Sequence, residues 1–125
     1  MLRRAFRDKS GTTAIEFAMT APVFFALIAG IVEVGIVLWT QLSLQQGAEA
    51  AARCASINQT LCGTTADIQS YAVAQSYGLN PPASTFTVST PACGKKVSAS
   101  YTYNFVFGYF GFPNVTLSAN SCFPS

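Results

Sequence analysis

A long apolar run near the N-terminus constrains this chain more than any other feature. It extends from Phe17 to Trp39 and is interrupted mainly by Thr20, Pro22 and Glu33. About 20 such residues in a helix cross a bilayer, so we expect one membrane-spanning helix here. A cleaved secretory signal fits less well, because its apolar core is usually only about 7–15 residues long. Glu16 stands at the start of the run, where a carboxylate is unfavourable in lipid and needs a compensating partner.

The charged residues are distributed unevenly along the sequence. Residues 1–11 carry four basic side chains and Asp8, whereas the rest of the chain carries three basic and four acidic side chains. A basic end beside a membrane span stays in the cytoplasm, so the C-terminal part is expected to face outward. The basic residues form one short cluster with no accompanying domain, which argues against nucleic acid as a partner.

The remaining sequence predicts an α+β protein. A long N-terminal helix is expected from Ala14 to about Ala55, with Pro22 bending or loosening it near the lipid boundary. A second helix is expected from Ala66 to Tyr77, with a threonine cap before it and Gly78 after it. Period-two alternation then predicts the strands of a short antiparallel sheet at Ser84–Thr90, Lys96–Phe107 and Val115–Ala119.

Two apolar faces are expected to form the core of the C-terminal part. The second half of the long helix is amphipathic, and its apolar side is predicted to carry Leu42, Leu44, Ala48 and Ala51–Ala52. The second strand predicts an aromatic face made of Tyr101, Tyr103, Phe105 and Phe107. We expect that face to pack on the helix. The further aromatic residues nearby could contact another component or a surface, and they are Tyr109, Phe110 and Phe112.

Four cysteines lie in the part expected outside the cytoplasm, which suits an oxidising compartment. The chain has no CxxC and no histidine, so disulfides are a better interpretation than a zinc site. Four cysteines allow three pairings. If the last two strands form a hairpin about residues 108–113, Cys93 and Cys122 lie almost equidistant from its turn. That symmetry favours a Cys93–Cys122 disulfide and leaves Cys54–Cys62 as a local one.

The segment from Gly11 to Glu16 resembles the processing site of type IV pilin-like precursors. Those precursors have a short basic leader, a small residue before the cut and Glu as the fifth residue of the mature chain. The resemblance implies that a prepilin peptidase cuts between Gly11 and Thr12 at the cytoplasmic face. The new amino group of Thr12 would then pair with Glu16 of a neighbouring subunit and lower the cost of a buried carboxylate. The alternative is an uncleaved membrane anchor whose Glu16 lies among headgroups.

A wider set of residues resembles the TadE family, the minor pilins or pseudopilins of the tight-adherence (Flp) pilus system. The resemblance covers residues 8–55 and is carried by Gly11–Ala18, Pro22, Ile31–Gly35 and Ala48–Arg53. It implies an inner-membrane precursor with a pilin-like helix, processed by an aspartic prepilin peptidase. It also implies that the protein acts with other pilin-type subunits and the pilus assembly machinery in surface adhesion. These residues do not separate the TadE from the TadF subtype.

Four residues of the span are expected to serve assembly or helix packing: Glu16, Pro22, Glu33 and Gly35. Glu33 lies six residues before Trp39, which is about 9 Å along a helix. It therefore either makes a polar contact with a partner helix or extends its carboxylate toward the membrane surface. Its match to a family position favours the contact with a partner.

These predictions divide the chain into a basic leader (residues 1–11), a transmembrane and amphipathic helix (residues 12–55) and a periplasmic α+β head (residues 56–125). The head has only Glu49 and Asp67 as acidic side chains near or within it, and the chain has no histidine and no Gly-rich phosphate loop. We therefore expect no catalysis, no cofactor and no metal. The alternative function is an uncleaved single-span membrane protein whose periplasmic head binds a ligand or a partner.

Overall fold

The computed structural model describes residues 9–107, residue 111 and residues 113–125. The elements in chain order are helix α1 (Lys9–Ile57), helix α2 (Thr65–Ala74), a short 3-10 helix (Ala83–Thr85) and strands β1 (Phe86–Ser89), β2 (Lys95–Tyr103) and β3 (Val115–Phe123). The chain divides into two compact units, Met1–Gly35 and Ile36–Ser125. The predicted α+β class is confirmed: a long apolar helix precedes a second helix, an antiparallel sheet and two disulfides.

Helix α1 begins earlier than the sequence predicted, at Lys9 rather than Ala14. Gly11 costs about 1 kcal/mol relative to alanine, which is too little to end a helix that continues for tens of apolar and alanine-rich residues. The helix also continues through Pro22. Proline has no N–H, so the carbonyl of Ala18 loses its helical donor at this point.

The core of the second unit is built from small residues of α1 packed on one face of the sheet. The buried residues include Leu44, Ala48 and Ala51 from the helix, and Phe86 and Val97 from the sheet. These helix positions recur every three or four residues, as an amphipathic helix requires.

Leu42 was wrongly placed in this core and is 60% exposed. It lies two residues, or about 200° of helical rotation, before the buried Leu44. Thr40 and Ser43 occupy the core side instead, and both are almost fully buried. Their hydroxyl groups donate to carbonyl oxygens one turn earlier, which makes a buried polar side chain tolerable.

Helix α2 starts one residue earlier than predicted, at Thr65, and ends three residues early. Thr64 caps its start, because its hydroxyl accepts a hydrogen bond from the Asp67 N–H while the Asp67 carboxylate accepts one from the Thr64 N–H. The helix ends at Ala74 rather than Tyr77. Tyr77 has a left-handed backbone with φ of 45°, and the following Gly78 has φ of 77°, so the helical hydrogen-bond ladder cannot reach them.

The sheet has the strand order β1-β2-β3 with both neighbouring pairs antiparallel. The β2–β3 register pairs Lys95 with Phe123 at one end and Tyr103 with Val115 at the other. Five of the six strand limits differ from those predicted, three of them by two residues or more. Residues 83–85 form the 3-10 helix, β2 stops before Phe105, and β3 continues to Phe123. The expected turn at residues 108–113 and its three aromatic residues lie largely outside the described residues.

Both predicted disulfides are present. The helix–loop disulfide joins Cys54 to Cys62 with the Cα atoms 5.8 Å apart. The hairpin disulfide joins Cys93 to Cys122 with the Cα atoms 6.3 Å apart. The first holds the end of α1 to the following loop, and the second ties the segment before β2 to the end of β3.

Two glutamines of α1 cover the outer edge of β3. Gln41 Nε2 donates to the Ser118 carbonyl at 2.8 Å, and Gln45 Nε2 donates to the Asn120 carbonyl at 3.3 Å. Four helical residues rise about 6 Å and two strand residues about 6.6 Å, so the two spacings match. Gln45 also donates to Glu49 Oε1 at 3.0 Å.

Candidate functional site

The first unit exposes an apolar helix surface that extends around the helix. Exposed fractions reach 72% at Phe17, 74% at Met19 and 72% at Ile31. Within the described residues, α1 is the one helix long and apolar enough to cross a membrane, and only 6% of its most apolar 18-residue stretch is buried. The core helix of a water-soluble domain would be mostly buried instead. Helix α1 is therefore a candidate membrane span close to the N-terminus.

The Thr20 hydroxyl on this surface bonds to the helix itself. Thr20 Oγ1 donates to the Glu16 carbonyl at 2.7 Å. A hydroxyl without a partner is costly in hydrocarbon. This bond lets threonine lie in an apolar helix without an outside partner.

The predicted processing residues lie at the start of α1. Gly11, Thr12 and Glu16 are all exposed, and the Gly11–Thr12 peptide bond is inside the helix, two residues after its first residue. Thr12 and Glu16 are one turn apart, about 6 Å along the axis, and share a helix face. A peptidase that binds an extended substrate would have to unwind this first turn. Gly11 makes such unwinding easier than any residue but proline would.

Pro22 and two glycines of the span lie in open surroundings. Pro22 is exposed. A Cβ added at Gly30 or Gly35 would meet no atom of the described chain within 4 Å. The fold of a single chain therefore does not require glycine at Gly30 or Gly35. The predicted role of Gly35 in close contact with another helix stays a prediction.

Glu33 differs from its apolar neighbours because it is buried, with 8% of its surface exposed. The nearby Ile31 and Val34 are 72% and 59% exposed. Burial within one chain keeps the carboxylate off the apolar surface that would face lipid, where a charge is most costly. The contact of Glu33 with a second subunit stays a prediction.

The second unit contains an open cleft of about 590 Å³ beside the helix–loop disulfide. Its walls carry Glu49 and Arg53 from α1, together with Ile57, Tyr71 and Phe123. Such a mixture of one acid, one base and apolar side chains suits binding of a small polar molecule. In the part of the chain that the structure describes, no group of three His, Cys, Asp or Glu side chains could hold a metal ion.

Sequence reasoning missed Gly47, whose position is the most tightly packed of the α1 glycines. A Cβ there would lie 2.5 Å from Ser76 Oγ and 2.8 Å from the Ala72 carbonyl oxygen. The available signal was a glycine in the middle of an amphipathic helix, where it usually has a packing or functional reason. The two glutamines that cover β3 gave no such signal, because exposed glutamines are common on helices.

Comparison with known families finds a match to the N-terminal part of this chain. The family described as TadE-like protein matches residues 11–53, which includes the candidate span and most of the rest of α1. No curated protein and no solved structure gives a significant match to the chain. The resemblance inferred from the sequence is confirmed over these residues. Residues 11–53 are therefore similar to the TadE-like family, and the match covers about a third of the chain.

Proposed function

We propose that this protein is a structural minor pilin of an Flp-type pilus rather than an enzyme. The observation that carries the proposal is the coincidence of two features in one segment. The TadE-like match covers residues 11–53, and in the same segment the apolar side chains from residue 15 to residue 34 lie on the surface. An apolar surface of this length is stable in lipid or against the helices of other subunits, and pilus assembly uses both.

The proposed precursor has a leader at residues 1–11, a membrane and packing helix at residues 12–55 and a head at residues 56–125. The basic leader stays in the cytoplasm and the head is periplasmic. A prepilin peptidase cuts between Gly11 and Thr12. The amino group released at Thr12 then pairs with Glu16 of an adjacent subunit, so that neither charge enters the bundle alone.

The first test is the N-terminus of the protein purified from its native membrane, measured by intact mass and by the terminal peptide. A chain that starts at Thr12 supports the proposal. A chain that still starts at Met1, in cells with an active prepilin peptidase, refutes processing. A start after residue 45 identifies a cleaved secretory signal instead.

The second test separates processing from assembly. Glu16→Gln keeps the size of the side chain and removes its charge, and Glu16→Ala removes the carboxylate entirely. Both variants are expected to start at Thr12 and yet to be lost from the sheared pilus fraction, because the Thr12 amine lacks its partner. Thr20→Val, one turn further along, is the matched control and should assemble normally. Normal assembly of both Glu16 variants would refute the pairing.

The cleft in the second unit favours one other function, an uncleaved membrane anchor whose head binds a ligand. Arg53 and Tyr71 give that cleft a cation and a hydroxyl for a small polar molecule. This function predicts a chain that starts at Met1. It also predicts that Glu16→Ala inserts as well as the natural sequence or better, because a carboxylate at the lipid boundary is unfavourable.

A further inference from the structure

The end of the β2–β3 hairpin exposes apolar side chains. Val106 is 64% exposed, Phe107 is 38% exposed and Val115 is 39% exposed. Phe105 packs on the core, and its ring meets the Tyr103 ring edge-on with centroids 5.5 Å apart. We call Phe105, Val106, Phe107 and Val115 the hairpin tip. Apolar side chains exposed together in this way are unfavourable in water and more stable in an apolar environment.

The glutamine contacts fix which end of the second unit carries this tip. Gln41 bonds to Ser118 and Gln45 to Asn120, so β3 and this part of α1 run in the same direction. Val115 lies three residues before Ser118, or about 10 Å toward the N-terminal end of the helix segment. Trp39 lies only two residues before Gln41, about 3 Å in that direction. The hairpin tip therefore extends roughly 7 Å past the level of Trp39.

Trp39 ends the apolar run, and tryptophan is enriched where a span meets the headgroups. Trp39 is 44% exposed and the adjacent Leu38 is 64% exposed, so this part of α1 also presents apolar surface. If the run from Phe17 to Trp39 crosses the bilayer, the lipid side of the interface is the side of Trp39 toward the N-terminal end of α1. The hairpin tip, which reaches past Trp39 within the same unit, would then lie at the depth of the headgroups and upper acyl chains.

The distribution of charge along the hairpin agrees with this placement. No Asp, Glu, Lys or Arg occurs from Val97 to Ser125. The nearest charges, Lys95 and Lys96, lie at the opposite end of β2, where Lys95 pairs with Phe123. The uncharged amides of Asn104 and Asn114 flank the tip and suit the polar headgroup layer, which limits how deep the tip can go.

We propose that the hairpin tip inserts into the leaflet on the head's side of the membrane and makes a shallow lipid contact of its own. The inference rests on the proposed membrane-spanning role of α1. A bilayer is favoured over a protein partner because the tip reaches past Trp39, at the end of the apolar run, and carries no charge to specify a partner. The contact would hold the head against the membrane before assembly.

The test uses the full chain in vesicles of phosphatidylethanolamine and phosphatidylglycerol, with and without acyl chains brominated near the headgroups. All four cysteines of the chain are paired, so an added cysteine is the single free thiol. Val106→Cys carries an environment-sensitive dye at the tip. Ser89→Cys is the matched control, because it is exposed at the end of the sheet that pairs with Lys96. Trp39, the only tryptophan, reports the span in the same sample.

We expect the dye at residue 106 to shift to the blue and to be quenched by brominated lipid about as strongly as Trp39, with no quenching at residue 89. Phe107→Cys provides an independent second measurement if Val106→Cys does not form both disulfides. If brominated lipid quenches Trp39 but the dye at residue 106 behaves like the dye at residue 89, the inference is overturned and the membrane span still stands. A blue-shifted dye that brominated lipid does not quench, found together with crosslinking of two chains, would overturn the inference. It would show that a second copy of the chain covers the tip. Absence of Trp39 quenching would overturn the span as well.

Discussion

Gly47 is where the fold of the second unit is most sensitive to one added methyl group. The new Cβ of Gly47→Ala would lie 2.5 Å from Ser76 Oγ, 2.8 Å from the Ala72 carbonyl oxygen and 3.2 Å from Phe86 Cζ. Ser76 cannot turn away freely, because its hydroxyl is buried and donates to that same Ala72 carbonyl at 2.7 Å. The Phe86 ring is fully buried and the carbonyl belongs to the backbone. None of the three neighbours has an easy escape.

The magnitude follows from two opposing effects. Overpacking of a closed site costs about 1–3 kcal/mol. Replacing a mid-helix glycine by alanine returns about 1 kcal/mol. Because two of the new contacts would be shorter than 3 Å, we take the overpacking cost as about 2–3 kcal/mol. The net loss in the free energy of unfolding is then about 1–2 kcal/mol, which corresponds to a fall of about 5–15 °C in Tm for a unit of this size. If Ser76 rotates instead, its unpaired hydroxyl costs about 1–3 kcal/mol, so the loss is similar.

Thermal unfolding of the full chain in detergent micelles, followed by near-ultraviolet circular dichroism, measures this effect. Gly35→Ala is the matched control, because it lies in the same helix and its new Cβ meets no described atom within 4 Å. Its Tm should equal or slightly exceed that of the natural sequence. A Gly47→Ala protein whose Tm also equals or exceeds the natural value would refute the close helix contact at this position.

Three further predictions concern the second unit and use the same unfolding measurement. Thr64→Ala removes the cap of α2 and should lower stability by about 1 kcal/mol, whereas Thr65→Ala, one residue inside the helix, should have little effect. Replacing Gln41 and Gln45 together by alanine should lower the free energy of unfolding by about 1–2 kcal/mol. The change also uncovers the β3 edge, so sedimentation should detect association of chains. A monomer of unchanged stability would contradict this. Loss of the hairpin disulfide, which closes 29 residues, should lower the free energy of unfolding by about 3.6 kcal/mol through loop entropy. Loss of the helix–loop disulfide, which closes eight residues, should lower it by about 2.5 kcal/mol. Equal losses would show that burial of the sulfur atoms dominates.

The parts of the fold that were predictable are those in which one periodicity decides the outcome. The alternation through Val97, Ala99 and Tyr103 marks the buried face of β2, because only one face of this sheet is covered. The hairpin disulfide was predictable because antiparallel pairing relates residues by their distance from the turn. The register centres on residue 109, close enough to the midpoint of Cys93 and Cys122 for the bond to form.

The end of β2 was not predictable from alternation alone. The alternation of aromatic residues continues through Phe105 and Phe107, but a strand also needs a neighbouring strand to pair with. Extending the observed register would place Phe105 opposite Pro113, which has no N–H to donate to the ladder. Pairing therefore stops at Tyr103 and Val115. The two phenylalanines leave the strand and become part of the hairpin tip. Knowledge of the register, which depends on a distant segment, was needed to see this.

The glycines of α1 also differ in whether contacts within the chain explain them. The TadE-like segment contains glycines of two kinds. Gly47 is fixed by contacts within the chain, whereas Gly35 has open space around it and gains nothing from being glycine in a single subunit. A glycine in an open position of a helix costs about 1 kcal/mol, so its presence needs a reason outside the chain. We expect Gly35→Leu to leave Tm unchanged and to reduce incorporation into pili, because the added side chain would separate α1 from the helix of a neighbouring subunit. Normal incorporation of this variant would remove Gly35 from the assembly surface.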